Sequence, residues 1–491
     1  MKKKLLRIVS RISVVLFIIT ILTTRLFAYF VLGEPFLGDT LAPMFSEKEV
    51  PRTLNSNELQ SLKENINTIP LLELKNNHGT FSFLNKTKIR DAEIIGLGEA
   101  THGTREFFEL KNGLFQFLVN HHDVKLFGIE ANFAACYDIN KYILTGRGNA
   151  KEALSKNGYW VWQSQEVLEL IEWMKNYNTN QSSDQKIQFY GYDMQDATSA
   201  IVWLENYLSN HLPEFDKSIL PDKFDSSSDK LRKLKQKEIE SMVKINLVKT
   251  SDLKTLLNKH ETHLINIDTT EYQFAKQAAE IILQKLLLIS ENDFNKAYSF
   301  RDSSMAHNIK WIRENNQNHK IVLWAHNGHI GRGSFSDDFK TGNWMGTHLT
   351  TIYGGKYYNI GFSFNEGGFV SQSPPSTNLI YLMASFVKSI FKDEPWKILN
   401  NYVKPHPRSY LTHTFSKLNA PCFFLEFKAL SEHKAVVDFI NHEFEHFEAG
   451  AVYINEKSAL WTTNLYQLFD AVIYVDKATP ANNFFVGKYA K

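Results

Sequence analysis

Residues 94–106 read IIGLGEATHGTRE, a segment in which an apolar run gives way to glycine and then to charged residues. The run Ala92–Leu97 predicts a short buried strand, because it is continuously apolar and bounded by glycine. The run Glu106–Val119 repeats apolar residues at helical spacing, so a helix is expected directly afterwards. A strand that turns through glycine into a helix is the repeating unit of α/β folds.

The same alternation of strand and helix continues along the chain. Helical spacing recurs at Val167–Trp173 and at Ile309–Arg313. We therefore predict an α/β domain over residues 56–491, with a mostly parallel sheet flanked by helices on both faces. Residues 225–295 are rich in Lys, Glu, Leu and Gln and predict a helical insert. Further apolar runs predict strands at Lys125–Ile129, Ile187–Tyr190, Ile321–Trp324, Tyr357–Phe364, Cys422–Phe427 and Ala471–Val475.

Residues 1–33 predict a targeting segment, since they contain six basic residues, no acidic residue and an apolar run from Ile12. As a signal anchor, this transmembrane helix continues through Leu32 with Arg25 at the interface. As a signal peptide, it is cleaved after Gly33. In both cases the body is expected outside the cytoplasm, membrane-anchored or exported. Residues 34–55 contain three prolines and predict a linker.

Composition excludes several classes of protein. The 491 residues are 43% hydrophobic and 13% aromatic, which rules out a disordered or collagen-like chain. The net charge is only +2 and no basic stripe follows the N-terminal segment, so nucleic acid is not an expected partner. Cys136 and Cys422 form no CxxC motif and are expected to be buried thiols.

Polar residues follow four of the predicted strands at the points where they end. The carboxyl ends of parallel strands meet at one edge of a sheet, so these residues are expected to lie close together. A histidine can take a proton from water, a carboxylate on its other nitrogen orients it, and further donors stabilise an oxyanion. This chemistry indicates base-assisted hydrolysis by Glu99, His102, Glu130, Asp193, His326 and His329.

Four blocks of sequence, taken in order, resemble the erythromycin esterase family. They are GEATHG at 98–103, FGIE at 127–130, GYD at 191–193 and WAHNGH at 324–329. Jointly they are specific, and the resemblance runs from Ile94 to Val475. It implies a hydrolase that opens a small-molecule ester or lactone, such as a macrolide, with water and without a covalent intermediate. The absence of a Gly-x-Ser-x-Gly motif from the sequence agrees with that expectation.

The resemblance also assigns roles to individual residues. His102 matches the general base, and the other catalytic positions are Glu99, Glu130, His326 and His329. The family often carries an arginine nine residues beyond the base, where this chain has Lys111. Lysine keeps the charge but lacks the planar fork that grips an anion in two places. We expect substrate contacts from Lys111, Arg105 and Asp193.

Several alternatives remain open at the level of sequence. No cofactor is expected, although His and Glu are suitable ligands for a divalent metal. Residues 442–446 form a formal HExxH motif, but the extra charge of Glu445 favours a solvated helix end over a zinc site. A non-enzymatic envelope protein that holds a metal, haem or glycan on the same scaffold is the second hypothesis. A divalent metal of a hydrolase would be held among His102, Glu130, His326 and His329 and would acidify the attacking water directly.

Overall fold

A computed structural model describes residues 52–73, 79–223, 234–334, 343–374 and 396–488. Nearly all of these residues belong to one unit, Thr53–Lys491. The predicted targeting segment 1–33 and most of the predicted linker 34–55 lie outside the described residues. Within the described ranges, no helix combines the length and the apolar character needed to cross a membrane.

The described part of the chain is a mixed α/β fold with one large sheet and many helices, which confirms the α/β prediction at that level. The strands are β1 Asn67–Thr68, β2 Ile94–Leu97, β3 Val124–Asn132, β4 Gln188–Asp193, β5 Lys320–Trp324, β6 Tyr357–Ser373, β7 Lys397–Val403, β8 Cys422–Glu426, β9 Phe444–Phe447, β10 Leu460–Thr463 and β11 Ala471–Ala478. The α-helices are α1 Ser56–Glu64, α2 Arg105–His122, α3 Tyr137–Thr145, α4 Ala150–Ser155, α5 Gln165–Thr179, α6 Thr198–His211, α7 Gln236–Lys259, α8 Glu261–Ile267, α9 Thr269–Ser290, α10 Phe294–Glu314, α11 Asn327–Ile330, α12 Met345–Tyr353, α13 Leu411–Ser416, α14 Lys434–Ile440 and α15 Leu465–Leu468.

The large sheet has nine strands in the order β1-β8-β11-β6-β2-β5-β3-β4, with β7 paired to β6. The pairs from β11 across to β4 are all parallel. Strands β1, β7 and β8 pair with their neighbours in the antiparallel sense. The sheet is therefore mixed, with six adjacent parallel strands at its centre. These strands bring their carboxyl ends to one edge, as the sequence argument requires.

Alternate residues of the central strands enter two separate hydrophobic clusters. In β5, Ile321 and Leu323 belong to one cluster, whereas Val322 and Trp324 belong to the other. Since side chains alternate across a strand, each cluster covers one face of the sheet. Helix α2 contributes Phe108 and its neighbours to the second cluster. Burial on both faces explains why these strands read as continuous apolar runs.

Helices α7 to α9 occupy most of the segment that the sequence predicts to be a helical insert. Asp268 caps α9 by accepting a hydrogen bond from the backbone N–H of Glu271, and Asp293 caps α10 in the same way. Helix α10 then packs Met305 and Ile309 against one face of the sheet. This packing fixes the position of the first half of α10, which reaches the candidate site.

Candidate active site

The turn after β2 approaches the turn after β5 so closely that only glycine fits between them. A Cβ atom on Gly98 would lie 2.2 Å from Oδ1 of Asn327. The backbone N–H of Asn327 donates to the carbonyl oxygen of Glu99 at 2.9 Å. On the far side of the turn, a Cβ on Gly103 would lie 2.2 Å from the carbonyl oxygen of Val370. Two loops are thereby held together at the carboxyl edge of the sheet.

Glu99 is fully buried and accepts hydrogen bonds on both carboxylate oxygens. Its Oε1 lies 2.6 Å from Nδ1 of His102. Because a carboxylate only accepts hydrogen bonds, Nδ1 is the nitrogen that carries the proton of the neutral imidazole. Oε2 of Glu99 accepts from Nζ of Lys111 at 2.5 Å and from Nε1 of Trp324 at 2.7 Å. Because Nδ1 carries the proton towards Glu99, Nε2 of His102 keeps a free lone pair and can act as a base.

Lys111 lies behind Glu99 and is fully buried. Its ammonium also stands 4.4 Å from the centre of the Trp324 ring, a cation–π contact. Burial lowers the pKa of Lys111 to about 8, although the charge of Glu99 opposes this shift. The structure therefore assigns Lys111 a contact with Glu99, whereas the sequence predicts a contact with substrate.

Arg105 opens helix α2 and points towards the C-terminal segment. Its Nη2 donates to Oδ1 of Asn482 at 3.4 Å, and its Nε lies 3.9 Å from Glu166. Glu166 in turn accepts from the backbone N–H of Asn482 at 3.0 Å. The contact of Arg105 with substrate stays a prediction, because these contacts do not test it.

Arg301, from helix α10, is the centre of a second buried group of charges. Its Nη2 donates to Oδ2 of Asp193 at 2.8 Å and to Oε1 of Glu130 at 2.7 Å. Its Nε donates to Oδ1 of Asp193 at 3.2 Å, so the guanidinium grips this carboxylate with two bonds. Burial opposes the charge of Arg301, but Asp193 and Glu130 raise its pKa well above the usual value.

His329 completes this second group. Its Nδ1 lies 2.9 Å from Oδ1 of Asp302, and its Nε2 lies 3.2 Å from Oε1 of Glu130. Burial alone would favour the neutral ring, but the charges of Asp302 and Glu130 raise the pKa of His329 to about 10. At that pKa the ring is an imidazolium at neutral pH, although Nη1 of Arg301 lies 3.0 Å from Nε2 and its charge opposes the protonation. The contact with His329 also affects Glu130. Burial disfavours its carboxylate form, but the positive charges of His329 and Arg301 hold the pKa of Glu130 well below the usual value.

His326 lies between the two groups. Its backbone N–H donates to Oε2 of Glu130 at 3.1 Å, and its ring centre lies 5.1 Å from that of His102. Its Nδ1 accepts from the backbone N–H of Gly328 at 3.2 Å, so a neutral ring carries its proton on Nε2. Burial and the neighbouring His102 lower the pKa of His326 well below the usual value. His326 is thus a neutral donor through Nε2–H.

The structure thus brings five predicted catalytic residues and Asp193 together at the carboxyl edge of the sheet, as two linked groups. Three residues in the site were not predicted: Arg301, Asp302 and Glu448. Arg301 could have been found, because it lies four residues before Met305 on the apolar stripe of its helix, where a charge is unusual. Glu448 carries no such signal, since it follows a short strand in an irregular segment.

The expected helix end at 442–446 is wrong. Residues 444–447 form strand β9, which pairs with β10, because Phe444 and Phe447 pack into the core from an extended segment. His446 is buried in this strand, while His442 is exposed beyond the end of α14. Burial lowers the pKa of His446 to about 3, so this ring is an uncharged core residue.

The described residues contain no group of three or more His, Cys, Asp or Glu side chains arranged to hold a metal ion. At the candidate site, the carboxylate of Glu130 already pairs with Arg301 and His329. A divalent cation there would meet two positive charges. Cys136 and Cys422 are both free and buried, which confirms the prediction of buried thiols.

The fold and the site define an α/β protein with a histidine–carboxylate centre at the carboxyl edge of a parallel set of strands. A sequence profile described as erythromycin esterase matches residues 119–478, and the chain belongs to this family. Erythromycin esterase type II of Escherichia coli is 24% identical over 324 residues, which cover 59% of this chain and 73% of that protein.

Two solved structures share the fold. The crystal structure of a succinoglycan biosynthesis protein superposes with a TM-score of 0.69 at 22% identity, covering 87% of this chain and 98% of that one. A mutant of the erythromycin esterase EreC in its open conformation gives a TM-score of 0.59 at 19% identity, covering 84% and 97%. Membership of the family supports the assignment of this chain as a hydrolase. The two structural similarities show the fold alone.

Proposed function

We propose that this protein hydrolyses an ester or lactone with a water molecule that His102 deprotonates. The observation that carries the proposal is the 2.6 Å contact between Nδ1 of His102 and Glu99. It fixes the ring so that Nε2 is the basic nitrogen, and it supplies a negative charge that stabilises the imidazolium. Lys111 and Trp324 hold Glu99 in place from behind.

The proposed reaction needs no covalent intermediate. Nε2 of His102 takes a proton from water while the water oxygen attacks the carbonyl carbon, and the carbonyl oxygen becomes negative. The Nε2–H of His326 donates to that oxygen. When the tetrahedral species collapses, the bond to the leaving oxygen breaks and the proton on His102 passes to it. One ester and one water become one acid and one alcohol.

Arg301 and His329 supply a fixed positive environment beside this reaction. Both are buried and charged, and both contact Glu130. Glu130 in turn accepts from the backbone N–H of His326, so it positions the residue that faces the carbonyl oxygen. We propose that this second group of charges orients His326 and stabilises the developing negative charge through space.

The substrate class is an ester or lactone, and two sources are compatible with it. A macrolide lactone fits the names of the relatives, and an envelope ester fits the targeting segment predicted at residues 1–33. We propose that the body acts outside the cytoplasm, anchored or exported. N-terminal sequencing of the protein from fractionated cells tests this, because it distinguishes an uncleaved anchor in the membrane, a chain cleaved after Gly33 and a full-length chain in the cytosol.

The experiment for the proposed function uses the full chain, purified and shown to be folded. It is incubated with a 14-membered macrolide and with a panel of aryl esters, with and without added divalent metal or a chelator. Mass spectrometry is expected to show a product heavier than the substrate by one water, and no acyl adduct on the protein. No turnover of any ester, together with metal or haem retained after purification, would contradict the proposal and favour a binding protein.

A further inference from the structure

Glu448 is a buried carboxyl group directly after β9 that the reaction described above does not use. Its Oε1 accepts a hydrogen bond from Nδ2 of Asn327 at 2.8 Å. Its Oε2 is enclosed and completes no hydrogen bond within the described part of the chain. That atom lies 3.6 Å from Nε2 of His326. A buried carboxyl oxygen without a partner is costly, so its retention next to the site calls for an explanation.

The orientation of Asn327 decides where a proton on Glu448 must be. Nδ2 of Asn327 donates to the carbonyl oxygen of Phe362 at 2.8 Å, and its Oδ1 accepts from the N–H of Phe362 at 3.1 Å. This pair of bonds fixes the amide, so Nδ2 is the atom that faces Glu448. Oε1 of Glu448 is therefore an acceptor, and a proton on this carboxyl group lies on Oε2.

The surroundings of Glu448 favour the protonated form. Burial raises the pKa of this carboxyl well above its usual range, and the hydrogen bond from Asn327 opposes the shift only in part. His326, its nearest ionisable contact at 3.6 Å, is itself held neutral. These surroundings favour a proton on Oε2 of Glu448, which makes this atom a hydroxyl donor.

The two donor atoms lie side by side, 3.6 Å apart. Among the residues that the structure describes, Nε2–H of His326 completes no hydrogen bond, although the carbonyl of Ala100 lies near enough to favour a proton on this ring. Two donor atoms 3.6 Å apart can both reach a single oxygen at ordinary hydrogen-bond distances of about 2.8 Å. His102 stands on the neighbouring side, with its ring centre 5.1 Å from that of His326.

We propose that Glu448, as a neutral carboxylic acid, is a further catalytic residue that joins His326 in binding the carbonyl oxygen of the substrate. This inference rests on the proposed hydrolase function. As water attacks, the carbonyl electrons move onto that oxygen, and the two hydrogen bonds strengthen. When the tetrahedral species collapses, the electrons return and both donors keep their protons. A protonated carboxyl that donates to an oxyanion has a known physical precedent in an apolar enzyme site.

Two substitutions separate this role from the alternatives. Glu448→Gln keeps an acceptor for Asn327 and places an N–H donor where Oε2 was, so kcat is expected to stay within about tenfold of the wild type. Glu448→Ala removes the donor and is expected to lower kcat by about 10²–10³-fold, with a smaller change in KM. Equal large losses in both variants would overturn the proposal, because they would show that an ionised Glu448 is needed. Full activity of Glu448→Ala would overturn it as well.

A matched control comes from the same strand. Glu445 accepts a hydrogen bond from Oγ of Ser409 at 2.5 Å, and Glu445→Ala removes a carboxyl group that makes this different contact. Its kcat is expected to stay near the wild-type value. Thermal melts of all variants show that a loss of activity is not a loss of folding.

A measurement without substrate keeps this inference separate from the proposed function. Infrared difference spectra between the wild type and Glu448→Gln are expected to show the carbonyl stretch of a protonated carboxyl at neutral pH. If no ester is turned over but the band is present, the hydrolase proposal fails while the neutral donor at Glu448 stands. If esters are hydrolysed but the band is absent, the donor role of Glu448 is overturned alone.

Discussion

The charge on His329 is the feature of the site with the most direct consequence for stability. Its imidazolium lies 2.9 Å from Asp302 and 3.2 Å from Glu130, and both carboxylates are buried. The substitution His329→Gln keeps a polar side chain of similar length but cannot carry the charge. We expect this variant to be destabilised, and the size of the destabilisation to depend on pH.

The pKa of His329 rises from 6.5 to about 10 on folding. A folded-state pKa above the unfolded value means that the folded protein holds the proton more tightly. This contribution is therefore fully present below pH 6.5 and is lost as the pH rises through about 10. At 1.36 kcal/mol per pKa unit, a shift of this size corresponds to about 5 kcal/mol over the whole window. Between pH 6.5 and about pH 9 the expected loss is about 3 kcal/mol.

Urea unfolding of wild type and His329→Gln across this range measures the effect. The difference in unfolding free energy between the two proteins is expected to shrink as the pH rises, because the wild type loses its advantage. Taking the difference removes the titration of groups that both proteins share. His122→Gln is a matched control, since His122 is a buried histidine whose pKa is lowered by burial. A difference for His329→Gln that stays constant with pH would refute the assigned charge.

Two further predictions concern the groups on either side of His326. Wild-type kcat/KM is expected to fall as the pH rises through about 8, because Lys111 then loses the proton that it donates to Glu99. The variant Lys111→Arg keeps its charge and is expected to retain activity to higher pH. A pH–rate profile checks this, and identical alkaline limbs in both proteins would count against it. Arg301→Lys is expected to cost about 3 kcal/mol of stability, because an ammonium cannot replace the two-bond grip on Asp193 together with the bond to Glu130. Denaturant unfolding measures this loss of stability. An unchanged unfolding midpoint would contradict the assignment of Arg301 as the centre of the buried group of charges.

The sequence predicted those strands and helices that depend on the pattern of neighbouring residues alone. Continuous apolar runs gave the central strands, because strands covered on both faces need no polar alternation. The residues after β2 and β5 reached one edge because parallel neighbours share their carboxyl ends. The direction of β8 could not be predicted in this way, since an antiparallel neighbour leaves no distinct pattern in a short apolar run.

The parts of the site that the sequence missed depend on packing between distant segments. Arg301 comes from a helix more than 100 residues beyond Asp193 in the chain, and only the docking of α10 on the sheet brings them together. The residues 442–446 matched a helical motif, but tertiary packing of Phe444 and Phe447 placed them in a strand. Glu448 follows that strand, so its position next to His326 depended on the same packing.

The most direct test of the account replaces the proposed base. His102→Ala and, as a matched control, His122→Ala are each purified as the full chain and incubated with whichever ester the wild type hydrolyses. The account predicts that His102→Ala stays folded and loses about 10²–10⁴-fold in kcat, while His122→Ala stays near the wild-type rate. A folded His102→Ala that adds water to the substrate at nearly the wild-type rate would contradict it.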